Sequence, residues 1–156
     1  MNATYFVKIL SEISDIMDEN RDRLIELDSV AGDGDLGLTM TKGFRAGYDK
    51  VKDSGESDAG RLLYAAGKAM SSAAPSTMGT LMAIGLMQAG KVLKGKTELE
   101  PADLVAFLSA YEEGIMVKGK AKLGEKTFLD GFDPGLQAVK NAVEAGEELK
   151  EATLKG

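Results

Sequence analysis

Apolar residues recur at spacings of three and four along nearly the whole chain. From Tyr5 to Leu27 the positions Phe6, Ile9, Leu10, Ile13, Ile16, Met17, Leu24 and Ile25 trace one stripe, which predicts a single amphipathic helix. The acidic, glycine-rich segment Asp28–Gly37 interrupts it. A second helix is predicted from Leu38 to about Lys52, with Met40, Phe44, Tyr48 and Val51 on one side. Asp58 is placed to cap a third helix that reaches Met70, and Ser71–Gly79 reads as a connection of small residues. A fourth helix is expected from about Thr80 to Leu93, closed by Lys94-Gly95. Pro101 opens a fifth, with Leu104, Val105, Leu108, Tyr111, Ile115 and Met116 inward. After a connection from Gly119 to Asp130, Pro134 is read as opening a sixth helix whose apolar face holds Leu136, Val139 and Val143. The segment Glu147–Gly156 reads as polar helix or tail.

Six helices without a convincing strand predict an all-α, antiparallel assembly, one domain spanning residues 1–156. In an up-down array, alternate connections emerge at the same end. The connections after the first, third and fifth predicted helices are Asp28–Gly37, Ser71–Gly79 and Gly119–Asp130, the three least ordinary stretches of the chain. The others are common polar turns. A functional site is therefore expected at one end of the bundle.

Composition narrows the chemistry. The chain has no histidine and no cysteine, which removes the commonest general base, the commonest transition-metal ligand and all thiol chemistry. What remains is carboxylate, hydroxyl, amide, lysine or a bound hard cation. A net charge of −6 argues against nucleic acid and anionic membrane as partners. No apolar run approaches the ~20 residues of a membrane span, and Met1–Leu10 lacks the basic-then-apolar pattern of a signal peptide. The expectation is a cytoplasmic protein.

The first loop places Asp28, Asp33 and Asp35 within eight residues, among Gly32, Gly34 and Gly37. Such carboxylates repel one another unless a cation sits between them, and magnesium or calcium prefers carboxylate oxygen. The alternative is a turn whose aspartates merely cap the next helix. An EF-hand is excluded, because the bidentate Glu at the twelfth loop position is missing. The second loop offers Ser71, Ser72, Ser76, Thr77, Gly79 and Thr80 at a helix start, where free N–H groups could bind an anion or where small residues could simply pack. It lacks the Gly-Lys-Ser/Thr ending of a P-loop. The third loop carries Lys120, Lys122 and Lys126, either solvated surface or a counter-charge to aspartates and phosphate.

In this order the loops resemble the nucleotide-binding L subunit of dihydroxyacetone kinases. The family's Leu-Asp, Gly-Asp-Gly/Ala-Asp-His-Gly and Arg-Gly-Phe-like segments appear as Leu27-Asp28, Gly32-Asp33-Gly34-Asp35-Leu36-Gly37 and Lys42-Gly43-Phe44. Its Gly-Lys-Ala-x-Pro-Gly-Asp-Lys-Thr-Met-x-Asp block corresponds to Gly119–Asp130, and the likeness runs from about residue 5 to residue 146. The resemblance implies an eight-helix antiparallel barrel with ADP or ATP at one end. It implies two magnesium ions on Asp28, Asp33 and Asp35, and phosphate or ribose contacts from Leu36, Gly37, Leu38 and Thr39. Ser76 and Thr77 would lie at the nucleotide, and Gly119 and Phe128 at its ribose or adenine.

The sequence departs from the pattern in three places. Leu36 stands where the family has histidine, the second loop is shorter, and the chain stops before the family's last two helices. Apolar faces left open by that difference are expected to be covered by a second copy of the chain, a homodimer, by residues outside this sequence, or by a rearranged tail. In the family, the triose is held covalently by a histidine of a separate K subunit, and some members are rephosphorylated by a phosphohistidine protein of the sugar phosphotransferase system. Two rival readings stay open: a nucleotide domain serving another acceptor, such as a fatty acid, and a non-catalytic metal- or nucleotide-binding regulator.

Overall fold

A computed structural model of the protein describes residues 1–147 and Leu154. Among the described residues are seven α-helices: α1 (Ala3–Glu19), α2 (Arg21–Asp28), α3 (Leu36–Val51), α4 (Ala59–Ala73), α5 (Thr77–Val92), α6 (Pro101–Gly119) and α7 (Phe128–Glu144). The one strand-like feature described is an isolated bridge between Asn2 and Glu98. The all-α, antiparallel expectation holds.

Three boundaries differ from the sequence reading, each for a local reason. The first stripe is two helices, not one. At the turn where it should continue stand Asn20 and Arg21, and the side-chain amide of Asn20 donates to the Ile16 carbonyl at 2.9 Å, ending α1. The fourth predicted helix begins at Thr77 rather than Thr80, because the Ser76 hydroxyl accepts from the Gly79 N–H at 3.1 Å and so caps α5. The last described helix begins at Phe128, not Pro134. Thr127 and Asp130 form a reciprocal capping box there, and Pro134 lies inside the helix. Pro101 does open α6, behind a second capping box between Glu100 and Asp103. The tail expected over Glu147–Gly156 falls almost entirely outside the described residues.

Neighbours follow the chain: α1 packs on α3, then α3 on α4, α4 on α5, α5 on α6 and α6 on α7, with α2 bracing α3. Glycines set the closest approaches. A Cβ on Gly60 would stand 2.4 Å from the Gly90 carbonyl oxygen, so α4 and α5 touch backbone to backbone. The core is built from Phe6, Leu10, Leu62, Leu63, Met70 and Leu93, all nearly inaccessible, each contributing about 1.5–3 kcal/mol by burial. Among the described residues no extensive packing of α7 on α1 closes the arc. The apolar faces of α1, α6 and α7 instead line a cavity of about 490 Å³, with Ile13, Met17, Phe107 and Phe132 in its wall.

Candidate functional site

The antiparallel order puts the end of α2, the start of α3, the α4–α5 connection and the α6–α7 connection at one end of the arc. Leu36, Met78 and Phe128, one from each of the three segments singled out in the sequence, line the same cavity.

The first segment folds around Asp28, the last residue of α2. Its carbonyl accepts from Gly32 at 2.6 Å and from Ala31 at 3.2 Å, while its carboxylate accepts from the Leu36 N–H at 3.3 Å. A side chain at Gly32 would force the Asp28 carboxylate to move, since its Cβ would lie 2.3 Å from the carboxylate oxygen. Gly34 adopts a φ of 76°, which an L side chain resists. The outcome is that Asp28, Asp33 and Asp35 each offer a carboxylate oxygen, all within 4.8 Å of one another. Asp28 is half-buried and the other two are exposed.

The hydrogen bonding of the three side chains bears on both readings of the loop. Asp35 occupies the cap position of α3, yet its side chain makes no capping bond. Asp33 only accepts a long bond, 3.4 Å, from the Asp35 N–H. No lysine or arginine pairs with any of the three among the described residues. Three carboxylates converge here with one bond to the first amide of α3, from Leu36 to Asp28, and no cationic side-chain partner, a donor set that could hold a hard divalent cation. Lys120, Lys122 and Lys126 likewise form no ion pair among the described residues, so any balancing they do acts over distance.

Beside the cluster, the first-turn N–H groups of Gly37 and Leu38 have no acceptor among the described residues, nor do those of Thr77 and Met78 at the start of α5. Such donors suit phosphate oxygens. The side chains of the named residues behave unequally. Leu36 turns into the apolar cavity, Thr39 is buried, and a Cβ on Gly37 would meet the Arg21 carbonyl oxygen at 2.2 Å. Of these three, only Gly37 keeps a backbone N–H without an acceptor among the described residues, because the Leu36 N–H donates to Asp28 and the Thr39 N–H to the Asp35 carbonyl. Leu38, Thr77 and Gly119 are exposed and Ser76 half-buried. Phe128 is 38% exposed at the cavity mouth and stacks on Phe132, with centroids 5.4 Å apart.

The third segment is held by a residue that sequence reasoning passed over. The Asp130 carboxylate accepts from the N–H groups of Gly124 and Thr127, and those bonds hold its carboxyl below the ordinary range. The loop it ties carries two lysines at positive φ, Lys120 at 53° and Lys126 at 60°. The signal was present as Thr127 followed three residues later by Asp130, a capping pattern overshadowed by Pro134.

A model of the DAK2 domain matches residues 30–155, most of the chain. The protein belongs to the DAK2 domain family. Among curated relatives, the ADP-binding subunit DhaL of PEP-dependent dihydroxyacetone kinase 2 from Listeria innocua is 29% identical over 143 residues, 90% of this chain and 66% of the relative. The corresponding subunit from Escherichia coli K12 is 26% identical over 144 residues, 92% of this chain and 69% of the relative. An L-erythrulose kinase of Pectobacterium atrosepticum is 34% identical over 145 residues, 92% of this chain but 25% of that longer protein. The chain thus spans about two thirds of the length of the DhaL subunits it matches. No described helix of this DAK2-family protein is long and apolar enough to cross a membrane.

Proposed function

We propose that this protein is the magnesium-dependent ADP- or ATP-binding subunit of a dihydroxyacetone-kinase-type phosphotransferase. The observation that carries the reading is the convergence of Asp28, Asp33 and Asp35 within 4.8 Å, next to the unsatisfied N–H groups at the start of α3. The names of the DhaL relatives, ADP-binding subunits, support it. Asp28, Asp33 and Asp35 would hold two magnesium ions. Bound there, the metal supplies charge neutralisation between phosphate groups, the main demand of phosphoryl transfer. The amides of Gly37, Leu38, Thr77 and Met78 would donate to phosphate oxygens. Ser76 would border the phosphates, and Gly119 and Phe128 the ribose or adenine, with the Phe128 ring at the cavity mouth offering a stacking face.

These 156 residues hold no histidine, so a covalently held acceptor would be carried outside them, on a partner subunit or on another domain. The reading is of a cytoplasmic domain that acts with a K subunit carrying dihydroxyacetone and, where ADP stays bound, with a phosphohistidine protein of the phosphotransferase system. A second acceptor, the four-carbon ketose erythrulose, is favoured by the 34% identity to L-erythrulose kinase.

Native mass spectrometry of the purified chain with magnesium and ADP tests the reading. Bound Mg-ADP that is lost in Asp33→Asn and in Asp35→Asn supports it. Nucleotide affinity unaltered in both variants removes the metal site, and no nucleotide at saturation leaves a non-catalytic role.

A further inference from the structure

The outer surface of α4, α5 and α6 carries two adjoining grooves. The first, about 790 Å³, is lined by Lys50, Arg61, Lys68, Lys91 and Lys94. The second, about 510 Å³, is lined by Lys91, Lys118 and Lys120. Tyr64 and Lys91 border both, so the grooves form one continuous face. No carboxylate lines either groove, although the chain has 25 acidic residues against 19 basic ones. Charge of one sign has been gathered against the balance of the molecule.

The gathering is not explained by internal pairing. Among the described residues the side chains of Lys50, Lys68, Lys94, Lys118 and Lys120 form neither an ion pair nor a hydrogen bond. Only Lys91, 2.6 Å from Gln88, and Arg61, 3.5 Å from Asp58, have partners. The trough itself follows from the Gly60–Gly90 crossing, where the absence of side chains lets α4 and α5 sink together. Between the cations, Tyr64 is 40% exposed and Val117 71% exposed.

We propose that this face docks an acidic protein surface, a carboxylate-rich helix or strand of a partner. Like charges held together repel one another, a cost that an oppositely charged partner relieves. The stripe from Arg61 to Ser72 on α4 is about 16 Å long at 1.5 Å per residue, room for three turns of a helix. Exposed Tyr64 and Val117 set among the lysines offer aromatic and apolar contact that a protein partner could use. At its Lys68–Lys120 end the face reaches the end of the arc that holds the aspartates, so a docked partner lies beside those loops without entering them. The proposal goes beyond the nucleotide reading and does not depend on it.

Fluorescence anisotropy of the full chain with a labelled oligoglutamate peptide of about twenty residues, against an oligothymidylate of equal charge, tests it. The peptide is expected to bind at low salt and to weaken steeply as screening shortens to about 3 Å at molar ionic strength. Lys68→Glu/Lys118→Glu is expected to weaken binding at least tenfold, about 1.4 kcal/mol, and the matching Gln double variant to weaken it less. Lys8→Glu/Arg23→Glu, which changes the net charge equally elsewhere, is expected to leave it nearly unchanged. Equal losses in both Glu variants, tighter binding of the oligothymidylate, or no peptide binding at all would each overturn the proposal.

Discussion

The carboxylate of Asp28 accepts the backbone N–H of Leu36 at 3.3 Å, joining the last residue of α2 to the first of α3. One side chain therefore both shapes the loop and contributes to the three-carboxylate cluster. Asp28→Asn separates these roles, since the amide oxygen still accepts the bond but the charge is gone. Mg-ADP affinity, measured by calorimetry, is expected to fall at least about tenfold with helicity by circular dichroism unchanged. Asp28→Ala should additionally lower Tm. Full affinity in Asp28→Asn would take this residue out of the metal set.

Gly60→Ala tests the α4–α5 crossing. The new methyl would sit 2.4 Å from both the Gly90 carbonyl oxygen and the Lys94 nitrogen, backbone atoms that cannot swing aside. A loss of about 1–3 kcal/mol is expected, seen as a Tm lowered by about 2–4 °C per kcal/mol. An unchanged Tm would mean that the helices do not meet backbone to backbone.

Acid should weaken the start of α6. The Glu100 N–H, and then Lys96, hold the Asp103 carboxyl below its ordinary range. A carboxyl with a depressed folded value adds stability above the ordinary range and loses it as pH falls through the folded value. Asp103→Asn is therefore expected to lower Tm at pH 7 by roughly 2–4 °C, for a loss of about 1 kcal/mol. The gap to wild type should close below about pH 4. A gap that persists there would mean that charge is not what the capping box contributes.

Glu112 has the opposite sign. Burial, and after it the nearby Asp133, push its carboxyl up against the opposing effect of Lys140, and one of its oxygens is buried without a hydrogen-bond partner. A raised folded value means the favourable state is the protonated one, complete below the ordinary carboxylate range and lost as pH rises. Glu112→Gln should raise Tm at neutral pH and have little effect near about pH 4. Thermal melts at the two pH values decide it; a lowered Tm at pH 7 would refute it.

The apolar period by itself determined that the chain is helical and antiparallel, because helices are local and their 3.6-residue repeat is written in consecutive residues. Phe6, Leu10, Met40, Phe44, Leu104 and Ile115 were legible as inward positions and all are buried. That the three aspartates of the first loop come together was legible as well, since they stand among three glycines within ten residues. Boundaries were less so: Asn20 and the Thr127–Asp130 box act through single hydrogen bonds that a weaker pattern, the long stripe or Pro134, concealed. Only the tertiary structure decided that Asp33 and Asp35 cap nothing, that Leu36 turns inward, and that Thr39 is buried with its N–H donating to the Asp35 carbonyl. It alone gathered seven cations, five from α3 to α6 and Lys94 and Lys120 just beyond helix ends, onto one outer face. Lys50 and Lys118 are neighbours of that face because Gly60 lets α4 and α5 touch, and no spacing along the chain encodes a distance between helices.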